Sequence, residues 1–529
     1  MNLPFRLTIL QAITTVCLLA QTSVTQSRYD RFPTAANTRE TTLTASNVNA
    51  ASFGKLYSYY VDGAVYAQPL YLPSVQIPGR GARNVLYVAT MNDKLYAFDA
   101  DQAGPPLWLR DFTDETAGVT PVLVVDITND NALNIVGNVG IEGTPVIDPA
   151  AGSIYLVVRT KEQGKYFQRL HKLDLTTGKD QIPPATIEAA VPSTARDATD
   201  GQLHFDPKAG NQRPALVLVN GQVVIAWASH EDFPPYHGWI MTYDGATLKQ
   251  TGAVSTTPNS DAGGIWQSGR GPAVDSSGNA YFAVGNGGWN GKTDFGSSIL
   301  KLQIGAADLA VVDSFTPHDY GAINEQDADI GSTGPLVIPG TSILICGSKR
   351  GIIYVLDTGK MGRMTANDEG LLQTLEVNGG RVMAGPAYWD GPSGPTLFIW
   401  CETDFPKAFR FKGRLFDPMP VLKGTVASHA SPGGAITISS DGKRPGTGIL
   451  WGTVTTGKSA DHGNQPGVFH AFNAETLREI WNSEQRPERD RLGTLVKFVP
   501  PLVVAGKVYI PNYDNGVNVY GLLPSGSRP

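Results

Sequence analysis

Apolar and polar positions along this chain alternate in short runs, and the same phrase recurs eight times. An apolar strand is followed by a Gly, Asn or Asp turn, then by a second strand ending in a pattern such as Tyr-Ala-Phe-Asp. The phrase is plain at 84–99 (NVLYVATMNDKLYAFD), at 342–357 (SILICGSKRGIIYVLD) and at 223–244 (VVIAWASHEDFPPYHGWIMTYD). A strand repeat of about 40–60 residues predicts a propeller, because one small sheet cannot bury its faces alone. The units centre on 66–101, 141–180, 212–250, 268–303, 332–360, 383–412, 432–482 and 498–522. The last unit stops early, and the stretch GKLYSYY at 54–60 lacks the strands that should precede it. The fold expected is therefore all-β, an eight-bladed β-propeller of four-stranded sheets whose ring is closed by the N-terminal strand. Closure removes the sheet edges that otherwise invite aggregation.

The repeat overrides the usual expectation that 529 residues form several domains. It divides the chain into a propeller at 53–523, a polar linker at 28–52 and a short tail at 524–529. Arg6 followed by the apolar run 7–20 has the pattern of an export signal, assigned to 1–27 and too short for a confident membrane span. It predicts an exported protein, periplasmic or extracellular, with no membrane span in the mature chain. Residues 110–138 are irregular and read as a surface insertion. The net charge of −6, with no basic stripe, argues against a nucleic-acid partner. Cys346 and Cys401 stand at matching places in consecutive repeats and read as buried thiols behaving as small apolar residues.

Superposing the repeats reveals a second pattern. After the same strand of each unit, polar residues replace apolar ones: Asn92 and Asp93, Arg159 and Lys161, His230 to Asp232, Asn286, Lys349 and Arg350, Glu402 and Asp404, Asn512 and Asp514. Most are ordinary turn residues, and Glu402 and Asp404 read as solvated turn carboxylates. Units three to five are different. Glu231, Asn286 and Asp329 offer hard oxygen ligands suited to Ca²⁺ rather than Zn²⁺. Trp266 offers a stacking face, and Lys349 a cation for a carbonyl oxygen that gains charge.

At this point the sequence resembles the quinoprotein alcohol dehydrogenase family, propellers that use pyrroloquinoline quinone (PQQ) with calcium. GGIW at 263–266 is similar to the family's Gly-Gly-Thr-x-Trp, whose tryptophan lies beneath the quinone. YFAVGNGGWN at 281–290 resembles the segment whose first asparagine binds calcium, here Asn286. TPHD at 316–319 matches the family, and KRGIIYVLD at 349–357 resembles the segment whose cation contacts the quinone oxygens, here Lys349. SHEDFPPYHGWIMTYD at 229–244 places Glu231 at the glutamate ligand position. The cofactor-site resemblance spans roughly 229–357.

The resemblance implies an exported PQQ- and calcium-dependent oxidoreductase acting on an alcohol or sugar, with a separate electron acceptor because no haem-attachment motif occurs. It implies Trp266, Asn286 and Lys349 at the cofactor, Glu231, Asn286 and Asp329 at the metal, and Asp329 and Lys349 in catalysis. Two departures stand out. The position of the family's catalytic aspartate is Ala322, leaving Asp319, Asp327 and Asp329 as candidates, of which Asp329 directly precedes the next strand. The adjacent cysteine pair of many members is absent. The alternative is a PQQ-like propeller without cofactor, serving as a binding or scaffold module.

Overall fold

The computed structural model describes residues 22–128, 134–377 and 379–524. Among the described residues, eight blades built of antiparallel strands follow one another along the chain. Blade one runs from Leu70–Ile77 to Trp108–Asp111, blade two from Val146–Asp148 to Ala185–Thr186, blade three from Val217–Val219 to Gln250–Ser255, and blade four from Ala273–Val274 to Leu309–Phe315. Blade five runs from Leu336–Val337 to Leu371–Glu376, blade six from Ala387–Gly391 to Leu422–Lys423, and blade seven from Ala435–Ser439 to Glu479–Asn482. Blade eight holds Leu502–Val504, Lys507–Asn512 and Gly516–Leu522, and Phe53–Tyr60 completes it, pairing from Phe53 with Leu522 to Tyr60 with Gly516. The ring is thus closed by the N-terminal strand.

Strand periodicity explains how the blades cohere. Side chains alternate between the two faces of a strand, so each strand feeds two layers. In Gly81–Thr90, Val85, Tyr87 and Ala89 pack against blade two, while Leu86 and Val88 pack against blade eight. In Ile343–Gly347, Ile343 and Ile345 face blade six, while Leu344 and Cys346 face blade four. The same alternation separates the thiols. Cys346 lies in the layer between blades four and five, Cys401 in the layer between five and six, and both are free and buried. Several outermost strands, among them Trp108–Asp111 and Leu371–Glu376, lie beyond the units expected from sequence. They pack on one face only, with no fully buried residue in Trp108–Asp111 and one in Leu371–Glu376.

Residues 28–52 are not a linker. The chain from Val24 onward threads the axis and bonds the first strands of the blades. Val24 pairs with Tyr71, Thr25 accepts from Ile147 N, Arg31 accepts from Val274 N, and Thr34 accepts from Tyr388 N. Ala36–Asn37 then runs parallel to Ala435–Ser439. Arg28 is 1% exposed and donates to the carbonyls of Ile436, Ala384 and Phe498. The first strand of each blade has an unpaired edge, and a passing backbone satisfies it whatever its side chains. A polar composition therefore misleads here. The export signal expected at 1–27 lies outside the described residues as far as 21. Residues 22–27 belong to the folded body, with Val24 and Ser27 buried. No helix among the described residues is long and apolar enough to cross a membrane.

Candidate functional site

Glu231, Trp266, Asn286, Asp329 and Lys349, spread over more than a hundred residues of sequence, line one pocket of about 120 Å³ at the axis. Each reaches it from the connection that follows a strand of blade three, four or five. Ring closure places equivalent connections on one face, which is why distant residues converge.

Lys349 is the hub. Its Nζ lies 2.8 Å from Asp329 Oδ2 and 2.6 Å from Asp327 Oδ1. Asn286 Nδ2 also donates to Asp327 Oδ1, at 2.7 Å. The two aspartates differ in setting: the Asp329 side chain is 5% exposed and the Asp327 side chain 63%. Asp329 Oδ1 accepts from Gly331 N at 2.7 Å. Burial pushes the Asp329 carboxyl above its ordinary pKa, with Lys349 pulling the other way. Burial opposes charge on Lys349 as well, but Asp329 and Asp327 outweigh it and hold the ammonium above its usual pKa. The lysine's shift follows most directly from the geometry, since one ammonium faces two carboxylates. Asp319, the third sequence candidate, pairs with Arg350 at 2.8 Å and does not line the pocket.

Trp266 lies on bare backbone. A Cβ at Gly285 would stand 2.4 Å from indole Cζ3, and one at Gly264 2.6 Å from Cη2. Trp266 Nε1 donates to Ser229 O at 3.1 Å, and Tyr236 meets the ring edge-on at 6.0 Å between centroids. The turn after it holds Gln267 and Ser268 at φ 49° and 50°, a left-handed conformation that costs non-glycine residues free energy. Glu231, Asp232 and Asp327 share that conformation, with φ of 56°, 51° and 50°. Such strain persists only where surrounding bonds enforce it. Gln267 Oε1 accepts from Ala283 N, and Ser268 Oγ donates to Ser332 O.

Several lining residues carried no sequence signal for the site. Ser268, Ser332, Met383, Asp461 and Phe498 line the same pocket beside Arg213, and so does Asn134, whose backbone N–H donates to Glu231 Oε1 at 2.9 Å. Asn134, within the stretch 110–138 expected to be a surface insertion, therefore belongs to the site. Behind the pocket, Lys497 donates to Asn134 Oδ1 and to Ala460 O. Burial, reinforced by Arg213, pulls its pKa down to about 7.

Other polar residues expected at the rim are tied up elsewhere. Glu402 and Asp404 are not solvated: they are 8% and 6% exposed, paired with Arg381 at 2.7 Å and Lys407 at 2.6 Å. Asp93 is fully buried, and Arg159 meets His230 Nε2 at 2.9 Å.

The donor set bears on a cation directly. Asn286 Oδ1 is a buried acceptor with no hydrogen-bond partner, in the same pocket as the carboxylates of Glu231 and Asp329. A buried acceptor without a donor is costly, and two carboxylates with an amide oxygen are the ligand types a hard cation takes. The residues present fit calcium.

No protein family matches this sequence, and neither does any curated protein. Among solved structures, the quinohemoprotein alcohol dehydrogenase from Comamonas testosteroni superposes with a TM-score of 0.56 at 13% identity, over 96% of this chain and 81% of its own. The computationally designed Ika8 protein gives a TM-score of 0.48 at 11% identity, over 88% of this chain and 99% of its own. A europium-containing methanol dehydrogenase gives 0.46 at 14% identity, over 92% and 81%. The chain is an eight-bladed β-propeller, sharing its fold with the quinohemoprotein alcohol dehydrogenase.

Proposed function

We propose that this protein is an exported PQQ- and calcium-dependent oxidoreductase acting on an alcohol or sugar, with a separate electron acceptor. One observation carries the reading: Glu231, Asn286, Asp329, Lys349 and Trp266 share a pocket in which Asn286 Oδ1 is a buried, unpartnered acceptor. Glu231, Asn286 and Asp329 would hold calcium, and Trp266 would lie against the flat cofactor. When bound, PQQ supplies a two-electron acceptor and calcium a Lewis acid. Asp329, buried and with its pKa raised, takes the proton of the substrate hydroxyl as general base. Lys349 holds that carboxylate in place and presents positive charge to an oxygen that gains electrons. Arg213 adds a guanidinium at the same pocket, suited to a carboxylate of the ligand.

The test is to add PQQ and Ca²⁺ to purified protein and measure binding together with dye-linked oxidation of an alcohol and sugar panel. Saturable calcium-dependent binding with dye reduction is expected. Absence of binding would end this reading.

A second reading, a cofactor-free binding module, draws on one observation. Lys349 already spans Asp327 and Asp329, so part of the acidic charge at the pocket is balanced from within. Absence of PQQ binding by the folded, calcium-loaded protein would favour it.

A further inference from the structure

We infer that Asp197, His237 and Asp261 form a second metal site, distinct from the axial pocket, which takes a divalent cation of the zinc class and clamps together the loops that carry Glu231 and Trp266. Each of the three offers one ligand atom, and these atoms all lie within 4.8 Å of one another. His237 Nε2 stands 3.3 and 3.2 Å from the two Asp197 oxygens. Ligands at about 2.0–2.1 Å from a tetrahedral ion stand roughly 3.3–3.4 Å apart, so the His237–Asp197 spacing needs little adjustment and the Asp261 carboxylate closes in to complete the set.

The second observation comes from the other ring nitrogen. His237 Nδ1 lies 2.9 Å from the carbonyl oxygen of Thr257. A carbonyl only accepts, so Nδ1 carries the hydrogen. The ring is buried, its side chain 4% exposed, and with Nδ1–H committed to the carbonyl it is Nε2 that faces the Asp197 carboxylate. Histidine ligands are typically held this way, with the far N–H donating to a carbonyl. A divalent cation between Nε2 and the carboxylates takes the place of the proton that otherwise bridges them.

Placement gives the site its consequence. Asp197 lies in the connection leading from blade two, His237 in the loop that begins at His230 and Glu231, and Asp261 five residues before Trp266. These loops are already laced: Ala262 N donates to Tyr236 O at 2.8 Å, and Gly263 N to Asn286 O at 2.6 Å. Asp261 also pairs with Arg196 at 3.1 Å, but that arginine side chain is 61% exposed and free to swing away. With two carboxylates and one imidazole, the site leaves a position for water. The mixed nitrogen and oxygen donors separate it from the all-oxygen set in the axial pocket.

The full chain, stripped with chelator and kept in excess Ca²⁺ to occupy the axial pocket, is titrated with Co²⁺. One equivalent should bind with the visible bands of a low-coordinate site, and Zn²⁺ should displace it and raise the melting temperature. Asp197→Asn should weaken binding by about 10–100-fold or more, judged against the melting temperature of the same variant without metal. Arg196→Gln should tighten it several-fold by removing a competing cation. Absence of the bands, or bands that survive unchanged in both Asp197→Asn and Asp261→Asn, would overturn the inference.

Discussion

Lys349 is bound to Asp329 twice: Nζ lies 2.8 Å from Oδ2, and the backbone N–H of Lys349 donates to the carbonyl of Asp329 at 3.0 Å. The double tie joins the connection before blade five to the turn inside it and sets the one buried aspartate among the three sequence candidates. Asp327 shares the lysine's ammonium but stands largely in solvent.

That difference predicts which carboxylate matters. Asp329→Asn should lower dye-linked kcat by about 10²–10⁴-fold, the range carried by a general base, while Asp327→Asn should keep most of it. Steady-state kinetics of the two variants decide the matter. Equal losses would place the base elsewhere.

Gly285 is required by the indole it supports. In Gly285→Ala the new Cβ would fall 2.4 Å from Trp266 Cζ3. Pushing the ring off its backbone seat should cost about 1–3 kcal/mol of stability and weaken PQQ retention. Denaturant unfolding and intrinsic fluorescence measure both effects.

Arg28 should behave as a keystone of the axial segment. Its guanidinium donates to carbonyls near blades six, seven and eight. Arg28→Ala leaves buried acceptors without donors, at about 1–3 kcal/mol for each group. Equilibrium unfolding should show a loss of several kcal/mol. A loss below about 1 kcal/mol would show that the segment contributes little.

Lys497 should make stability depend on pH. Burial holds its folded pKa at about 7, well below the ordinary lysine value of 10.5. Between these values the unfolded chain binds the extra proton, so stability rises with pH from about 7 towards 10. Below pH 7 both states are protonated and the full penalty of a buried charge applies. Lys497→Met should remove this contribution, flattening the profile by up to about 1.4 kcal/mol per pH unit. Parallel unfolding curves for the two proteins across that window would refute it.

The architecture was legible because a propeller repeats the same local decision eight times. Strand alternation and turn residues are short-range properties, and they located every blade and the closing strand Phe53–Tyr60. The convergence of Glu231, Asn286 and Lys349 was legible for the same reason, since equivalent turns in a ring share a face. Residues contributed by irregular chain were not. Asn134 reaches Glu231 through its backbone N–H, which no side-chain pattern records. The axial path of 24–37 likewise depends on main-chain bonds to strand edges. Glu402 and Asp404 look solvated in sequence because their cationic partners cannot be assigned before folding.

The amino-acid order alone determines the blades, their number and the ring, because hydrophobic alternation and turn chemistry act over a few neighbouring residues. Only the folded ring decides which aspartate is buried, what lies beneath Trp266 and what fills the axis. Those outcomes depend on desolvation and contacts between segments hundreds of residues apart, and such interactions come into being only when the blades meet.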